Sequence, residues 1–313
     1  MTLAEDREAV ERAWLALVLA PGVGSRTLAR LASPGPRAGA PMVAVPGAEI
    51  DWLRSTFGLT GRLAAAIQGA SAHAAPVRAL AEALRSRGVR LLTLGDAEYP
   101  SRVRTALGGG APPLLYLEGE AALLRRQCAA LFASRRPAPE VLGAARAWAE
   151  RLRERGLLVV RGESTPFDRA AAAEADITVL STGILAKARR TAGEGPGGLR
   201  VGFVHPHWGF KGSVERERNG VQAALADVCL VLEARPGGIV EQTAHRALAW
   251  GRPVLVRSDA RGPQAEGAQR LLAAGARPLD EDRLAALPRS EADGQGAASG
   301  ERASGDHRKG AGP

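Results

Sequence analysis

At 313 residues the chain is long enough for about two domains, and a hydrophobic fraction of 45% is enough to build a core. Basic residues outnumber acidic ones 42 to 33, a formal charge of +9, and all but three of the cations are arginine, the side chain suited to bidentate phosphate contacts. The abundance of Ala, Gly and Arg throughout is also what a GC-rich genome writes, so composition alone leaves both readings of the charge open. The longest apolar run, Trp14–Ala20, is far short of the ~20 residues of a membrane helix. The N-terminal MTLAEDREAVER has no apolar signal core, and Cys128 and Cys229 supply neither a disulfide scaffold nor a zinc cluster. Membrane, secreted-scaffold and zinc-module classes are excluded, and a cytoplasmic protein is expected.

Residues 1–87 read as a helical domain, with helices near 5–19, 25–33, 60–69 and 76–87 and a Pro/Gly-rich loop at 33–47. Leu19-Ala20-Pro21-Gly22-Val23-Gly24-Ser25-Arg26 lies between the first two helices as a helix-hairpin-helix pattern. Its backbone N–H groups would face a phosphate without reading sequence, or it is a plain helical hairpin in which glycine supplies a positive φ. Phe57-Gly58-Leu59-Thr60-Gly61-Arg62-Leu63 is a weaker second copy.

Residues 88–287 change character. Strand-like runs at 89–94, 113–117, 128–133, 156–160, 177–181, 200–204, 228–234 and 253–257 alternate with helical patterns at 138–154, 165–175, 214–226, 239–250 and 264–274. Nearly continuous apolar strands between helices predict an α/β fold with a parallel sheet buried on both faces. From Pro288 onward the chain has no aromatic or β-branched residue and carries equal numbers of acids and bases. It reads as a disordered tail, which leaves the positive charge to the folded part.

A parallel sheet binds ligands outside the carboxyl ends of its strands. The residues there are small, polar and rich in arginine: Ser134, Arg135 and Arg136; Arg161 and Gly162; Gly183; His205; and Arg235, Gly237 and Gly238. This rim predicts a phosphate-bearing ligand, against the plainer reading that Gly and Ser populate every strand-to-helix turn. Arg218 and Asn219 near the start of a helix fit the same ligand, and Trp208 and Phe210 beside Lys211 are the candidates for base stacking. Asp168 and Glu241 each fall in a first helical turn, where an acid ordinarily complements the helix dipole. His205-Pro206-His207 lacks a third ligand, so no metal is expected. No phosphate-binding Gly-x-x-x-x-Gly-Lys or dinucleotide Gly-x-Gly-x-x-Gly motif follows a strand, and no cofactor is expected.

The ordered set of these pieces resembles the DprA/Smf family of bacterial DNA-processing proteins over roughly residues 14–280. It comprises WLALVLAPGVG, Glu98-Tyr99-Pro100, PPLLYLEGE at 112–120, the Ser134-Arg135 strand end, Phe167-Asp168, VLSTGI at 179–184, RERNGVQAALADVCLVLEA at 216–234 and GRPVLV at 251–256. The resemblance implies an extended Rossmann-like domain at 88–287 preceded by a small all-helical domain of SAM or helix-hairpin-helix type at 1–87. It implies a non-catalytic protein that binds single-stranded DNA, acts as a homodimer, protects incoming strands and helps load the RecA recombinase in natural transformation. The DNA-binding positions it points to are Ser134, Arg135, Arg161, Gly162, Gly183, Lys211, Arg218, Asn219, Gly237 and Gly238. The chain departs from the family pattern at Ala133, Arg161, Ala172, Gly220 and Gly237, and the tail from 288 is expected to stand where many members carry a winged helix. Pro236-Gly237-Gly238 with Glu241 is also similar to the motif of LOG-type phosphoribohydrolases. That keeps a nucleotide-binding sensor or hydrolase as an alternative, beside a scaffold that has kept the fold and lost the ligand.

Overall fold

Alternating side chains, apolar on both faces, build the central sheet of the computed structural model, which describes residues 3–32, 42–173, 176–186, 197–259 and 263–287. The expected disordered tail and most of the expected loop at 33–47 lie outside the described residues. The strands are β1 (Val89–Thr93), β2 (Leu114–Gly119), β3 (Cys128–Phe132), β4 (Leu158–Arg161), β5 (Ile177–Val179), β6 (Leu199–Gly202), β7 (Val228–Val231), β8 (Val254–Val256) and β9 (Arg277–Pro278). They lie in the order β1-β2-β6-β5-β4-β3-β7-β8-β9. From β6 to β9 every pairing is parallel, with Ala130 of β3 opposite Val160 on one side and Cys229 on the other.

The wholly parallel sheet expected from sequence is corrected at one edge. β1 pairs β2 antiparallel, and β2 pairs β6 antiparallel. The physical reason is that β2 is buried on both faces, as a parallel strand is, so its apolar run carries no sign of direction. β9, too short to read, ends the other edge at Pro278, where the lack of an N–H costs nothing.

Twelve α-helices surround the sheet among the described residues: α1 (Leu3–Leu19), α2 (Ser25–Ala32), α3 (Ile50–Phe57), α4 (Gly61–Gly69), α5 (Ala74–Ser86), α6 (Ser101–Leu107), α7 (Pro139–Glu154), α8 (Pro166–Ala170), α9 (Gly212–Leu225), α10 (Ile239–Ala249), α11 (Pro263–Ala273) and α12 (Glu281–Ala285). One face of the sheet is a continuous core, to which β3 contributes Cys128, Ala130 and Phe132, and on it α9 packs between α6 and α10. The opposite face is divided. Ala129 and Leu131 meet Val141, Ala145, Ala149 and Leu152, the apolar stripe of α7. Leu91, Leu114 and Tyr116 meet the helices of residues 3–86.

Within that helical region both hairpin patterns are helix–turn–helix units, with Gly22 at φ +78° and Gly58 at φ +61°, a conformation that favours glycine. They stand together: Arg30 of α2 donates to the Gly58 carbonyl at 3.0 Å. Both cysteines are buried in the sheet, and burial pushes Cys128 up to about 11 and Cys229 up to about 12, so both stay thiols. No helix among the described residues is long and apolar enough to cross a membrane.

Candidate functional site

The central strand β3 has β4, β5 and β6 on one side and β7, β8 and β9 on the other, so the chain reverses its direction of winding between β3 and β7. Open α/β sheets form a crevice at such a point, outside the carboxyl ends of the strands. Here it is a cavity of about 330 Å³. Residues 131–136 line it from the end of β3, Thr165, Phe167 and Asp168 from the start of α8, Glu215, Arg218 and Asn219 from α9, and Arg235 with 238–240 from the turn into α10. Four guanidinium groups (Arg135, Arg136, Arg218 and Arg235) face two carboxylates, Asp168 and Glu215.

The floor is a buried polar chain. Pairing of β3 with β4 ends at Ala130 and Val160, leaving carbonyls where the strands part. Gln222, 0% exposed, donates to the carbonyls of Leu131 at 2.9 Å and Val160 at 3.1 Å. Its own Oε1 accepts from Arg218 Nη1 at 2.9 Å. Arg218 is buried, 3.8 Å from Asp168 Oδ1 and 3.9 Å from Glu215 Oε1. A buried charge held by partners on several sides is a structural cation as much as a binding one. Gly162 makes the room: a Cβ there would lie 2.0 Å from Arg218 Nη1.

Asp168 serves the backbone. It accepts from the N–H groups of Gly162, Ser164 and Thr165 and from the Thr165 hydroxyl at 2.8–3.1 Å, and Thr165 returns a cap to the Asp168 N–H. Glu241 likewise turns back onto the N–H of Gly237, and it lines no part of the cavity. Glu215 differs: its carboxylate takes Arg135 across the mouth. Asn219 lines the cavity with its Oδ1 buried and, among the described residues, without a hydrogen-bond donor. A buried acceptor in that state calls for a donor from a ligand or water.

Beside the cavity, residues 205–211 form a ledge. The ring of His205 stacks on Trp208 with centroids 5.9 Å apart, and Lys211 Nζ lies 3.4 Å from the centre of the Trp208 ring. Trp208 and Phe210 are 43% and 56% exposed, unusual for large apolar side chains. Lys211 is the N-cap of α9, the helix that carries Glu215, Arg218 and Asn219, so ledge and cavity share one element. Burial, aided by the neighbouring His207 and Lys211, holds the His205 imidazole below its ordinary value and favours the neutral ring.

The residues singled out from sequence therefore divide. Ser134, Arg135, Arg218, Asn219 and Gly238 meet in the cavity. Gly237 forms the turn beside it, and Lys211 belongs to the ledge. Gly162 stands behind Arg218. Gly183 donates from its N–H to the Trp208 carbonyl at 2.7 Å, and a Cβ there would strike the Pro206 carbonyl oxygen at 2.2 Å, so it seats the ledge. Arg161 points away from the cavity, buried against Asp176 at 3.4 Å, where Arg153 also binds. Glu215 was not singled out, because an acid three residues before an arginine reads as an exposed helix pair. Among the described residues no three His, Cys, Asp or Glu side chains gather as a metal site requires.

The family model for DNA recombination-mediator protein A matches residues 90–192, a narrower span than the resemblance read from sequence and one that ends before α9. No curated protein matches the chain. The X-ray structure of DNA processing protein A (DprA) from Streptococcus pneumoniae superposes with a TM-score of 0.64 at 19% identity, over 76% of this chain and 85% of that one. The DNA processing protein A of Helicobacter pylori, solved for its single-stranded DNA binding mode, superposes with a TM-score of 0.52 at 21% identity, over 62% of this chain and 93% of that one. At these identities the two structures speak to the fold alone, and residues 90–192, about a third of the chain, are what is similar to the DNA recombination-mediator protein A family.

Proposed function

We propose that this chain is a single-stranded DNA-binding protein without catalytic activity, using the cavity at the end of β3 for the sugar–phosphate backbone and the ledge of residues 205–211 for a base. The observation that carries this reading is the pairing of two demands within one cavity. Its arginines call for an anion, and the orphaned Asn219 Oδ1 calls for a donor such as a base amino group or a sugar hydroxyl. A nucleotide strand supplies both, and the exposed Trp208 and Phe210 give it a stacking surface. The single-stranded DNA binding described for the Helicobacter pylori protein supports the same ligand. The Glu241 carboxylate, which accepts from the Gly237 N–H and does not line the cavity, supports strand binding over the hydrolase alternative.

In this reading residues 88–287 are the strand-binding domain, with the helices of 1–87 a second domain beside them and the tail from 288 outside both. The protein works in the cytoplasm as a homodimer, protects incoming single strands and hands them to the RecA recombinase in natural transformation and recombination. Fluorescence anisotropy with a labelled single strand of roughly 30 nucleotides, and with the same sequence as duplex, tests the central claim. Single-strand binding should dominate and weaken steeply with salt, because each neutralised phosphate releases counterions. Arg136→Ala with Arg235→Ala, both exposed at the mouth, should lower affinity and flatten the salt dependence. Equal binding of duplex and single strand, or none by the folded protein, overturns the reading.

A further inference from the structure

Two carboxylates line the cavity, and they are used differently. Asp168 is consumed by backbone donors at the start of α8. Glu215 has no backbone donor among the described residues, and both its oxygens face arginines. Arg135 is paired with Oε2, and Arg218 Nη2 lies 3.9 Å from Oε1. Arg135 is 63% exposed, so its guanidinium would stand free for a ligand were it not folded back onto Glu215. Two acceptor oxygens set between two guanidinium groups are the arrangement a bound phosphate makes. The carboxylate thus stands in for the anion that the cavity would otherwise take from solution.

Resting on the single-strand reading, we infer that Glu215 is the specificity-determining residue of the cavity. It is an internal anion that competes with phosphate for Arg135 and Arg218. A tethered competitor acts at an effective concentration in the millimolar range, so a free phosphate or mononucleotide present well below that does not displace it. A strand does, because it gains contacts at Asn219 and at the Trp208–Phe210 ledge in the same event. Glu215 therefore turns a general anion site into one that answers to a polymer. An acid that served only the dipole of α9 would have no bearing on phosphate binding.

Glu215→Gln keeps the shape and removes the charge. The full chain and the variant are compared for binding of inorganic phosphate, by phosphorus NMR line broadening, and of the labelled single strand, by anisotropy. Wild type should leave phosphate free at 1 mM, whereas Glu215→Gln should bind it and hold the strand about tenfold more tightly, the size of one charge-assisted contact regained. Arg135→Ala should lower strand affinity in wild type, and in the Glu215→Gln background it should abolish the gain in both phosphate and strand binding. Glu215→Asp keeps the buried charge but shortens its reach, and it should shift phosphate binding in the same direction by less, which decides the matter if the Gln variant does not fold. Folded variants that bind phosphate and strand as wild type does overturn the role of Glu215 while leaving the single-strand reading intact. Phosphate captured by Glu215→Gln with no strand binding by either protein supports the role of Glu215 and overturns the strand reading instead.

Discussion

The cavity and the ledge hold their cations in opposite ways. In the cavity Arg218 is buried against Gln222, Asp168 and Glu215, and Arg135 is folded onto Glu215. On the ledge Lys211 rests on the face of Trp208, with no acidic partner among the described residues, and the aromatic rings beside it are open to solvent. The difference teaches that a cation near a binding site has two separable jobs. Burial among carboxylates makes an arginine part of the fold, whereas exposure over an aromatic face leaves the charge available to a ligand.

The strongest break of that comparison is on the buried side. Arg218→Met would remove the cation that lies between Asp168 and Glu215 and leave Gln222 Oε1 without its donor, and an unsatisfied buried acceptor costs about 1–3 kcal/mol. Gly162→Ala should act in the same direction without touching a charge, because its Cβ would stand 2.0 Å from Arg218 Nη1. Overpacking of that kind costs roughly 1–3 kcal/mol. Urea denaturation midpoints check both. Lys211→Met, removing an exposed cation, should change stability by no more than about 0.5 kcal/mol.

For Trp208 and Lys211 on the ledge the effects should appear in binding and not in folding. Trp208→Ala removes a stacking face, about 1–3 kcal/mol per base, so single-strand affinity should fall about tenfold with an unchanged unfolding midpoint. Lys211→Ala should lower the slope of log affinity against log salt by about 0.7, the share of one phosphate on a single strand. A variant that lost stability in step with affinity would show the ledge to be structural, and the two regions would no longer differ in kind.

Sequence made the element pattern legible, since apolar periodicity marked β1 to β8 and most of the long helices. It missed α3, α6 and α12, which are short. It also missed the antiparallel edge, because β2 is covered on both faces. The site was legible where chain order alone places residues: Ser134, Arg135 and Gly238 sit at strand ends, and strand ends converge at the point where winding reverses. What composition could not convey is where an arginine spends its charge. Arg161 and Arg200 are as basic on paper as Arg135, but they are buried against Asp176 and Glu118. Glu215 is the converse case, an acid whose partners become visible only when α9 is laid against the end of β3.

The smallest effect should come from His205, where ledge and fold meet. Its imidazole is held below the ordinary value of about 6.5, chiefly by burial and then by the nearby His207 and Lys211, and the neutral ring stacks on Trp208. The unfolded chain therefore takes up this proton at a higher pH than the folded one. The stability that a neutral His205 contributes is fully present above pH ~6.5 and is lost as pH falls through its lower folded value. Wild type and His205→Gln should run parallel in melting temperature from pH 8 to 7, and below pH ~6.5 wild type should lose stability faster. A gap that stayed constant down to pH 5 would mean that His205 takes its proton as readily folded as unfolded, and that the stack on Trp208 owes nothing to the neutral ring.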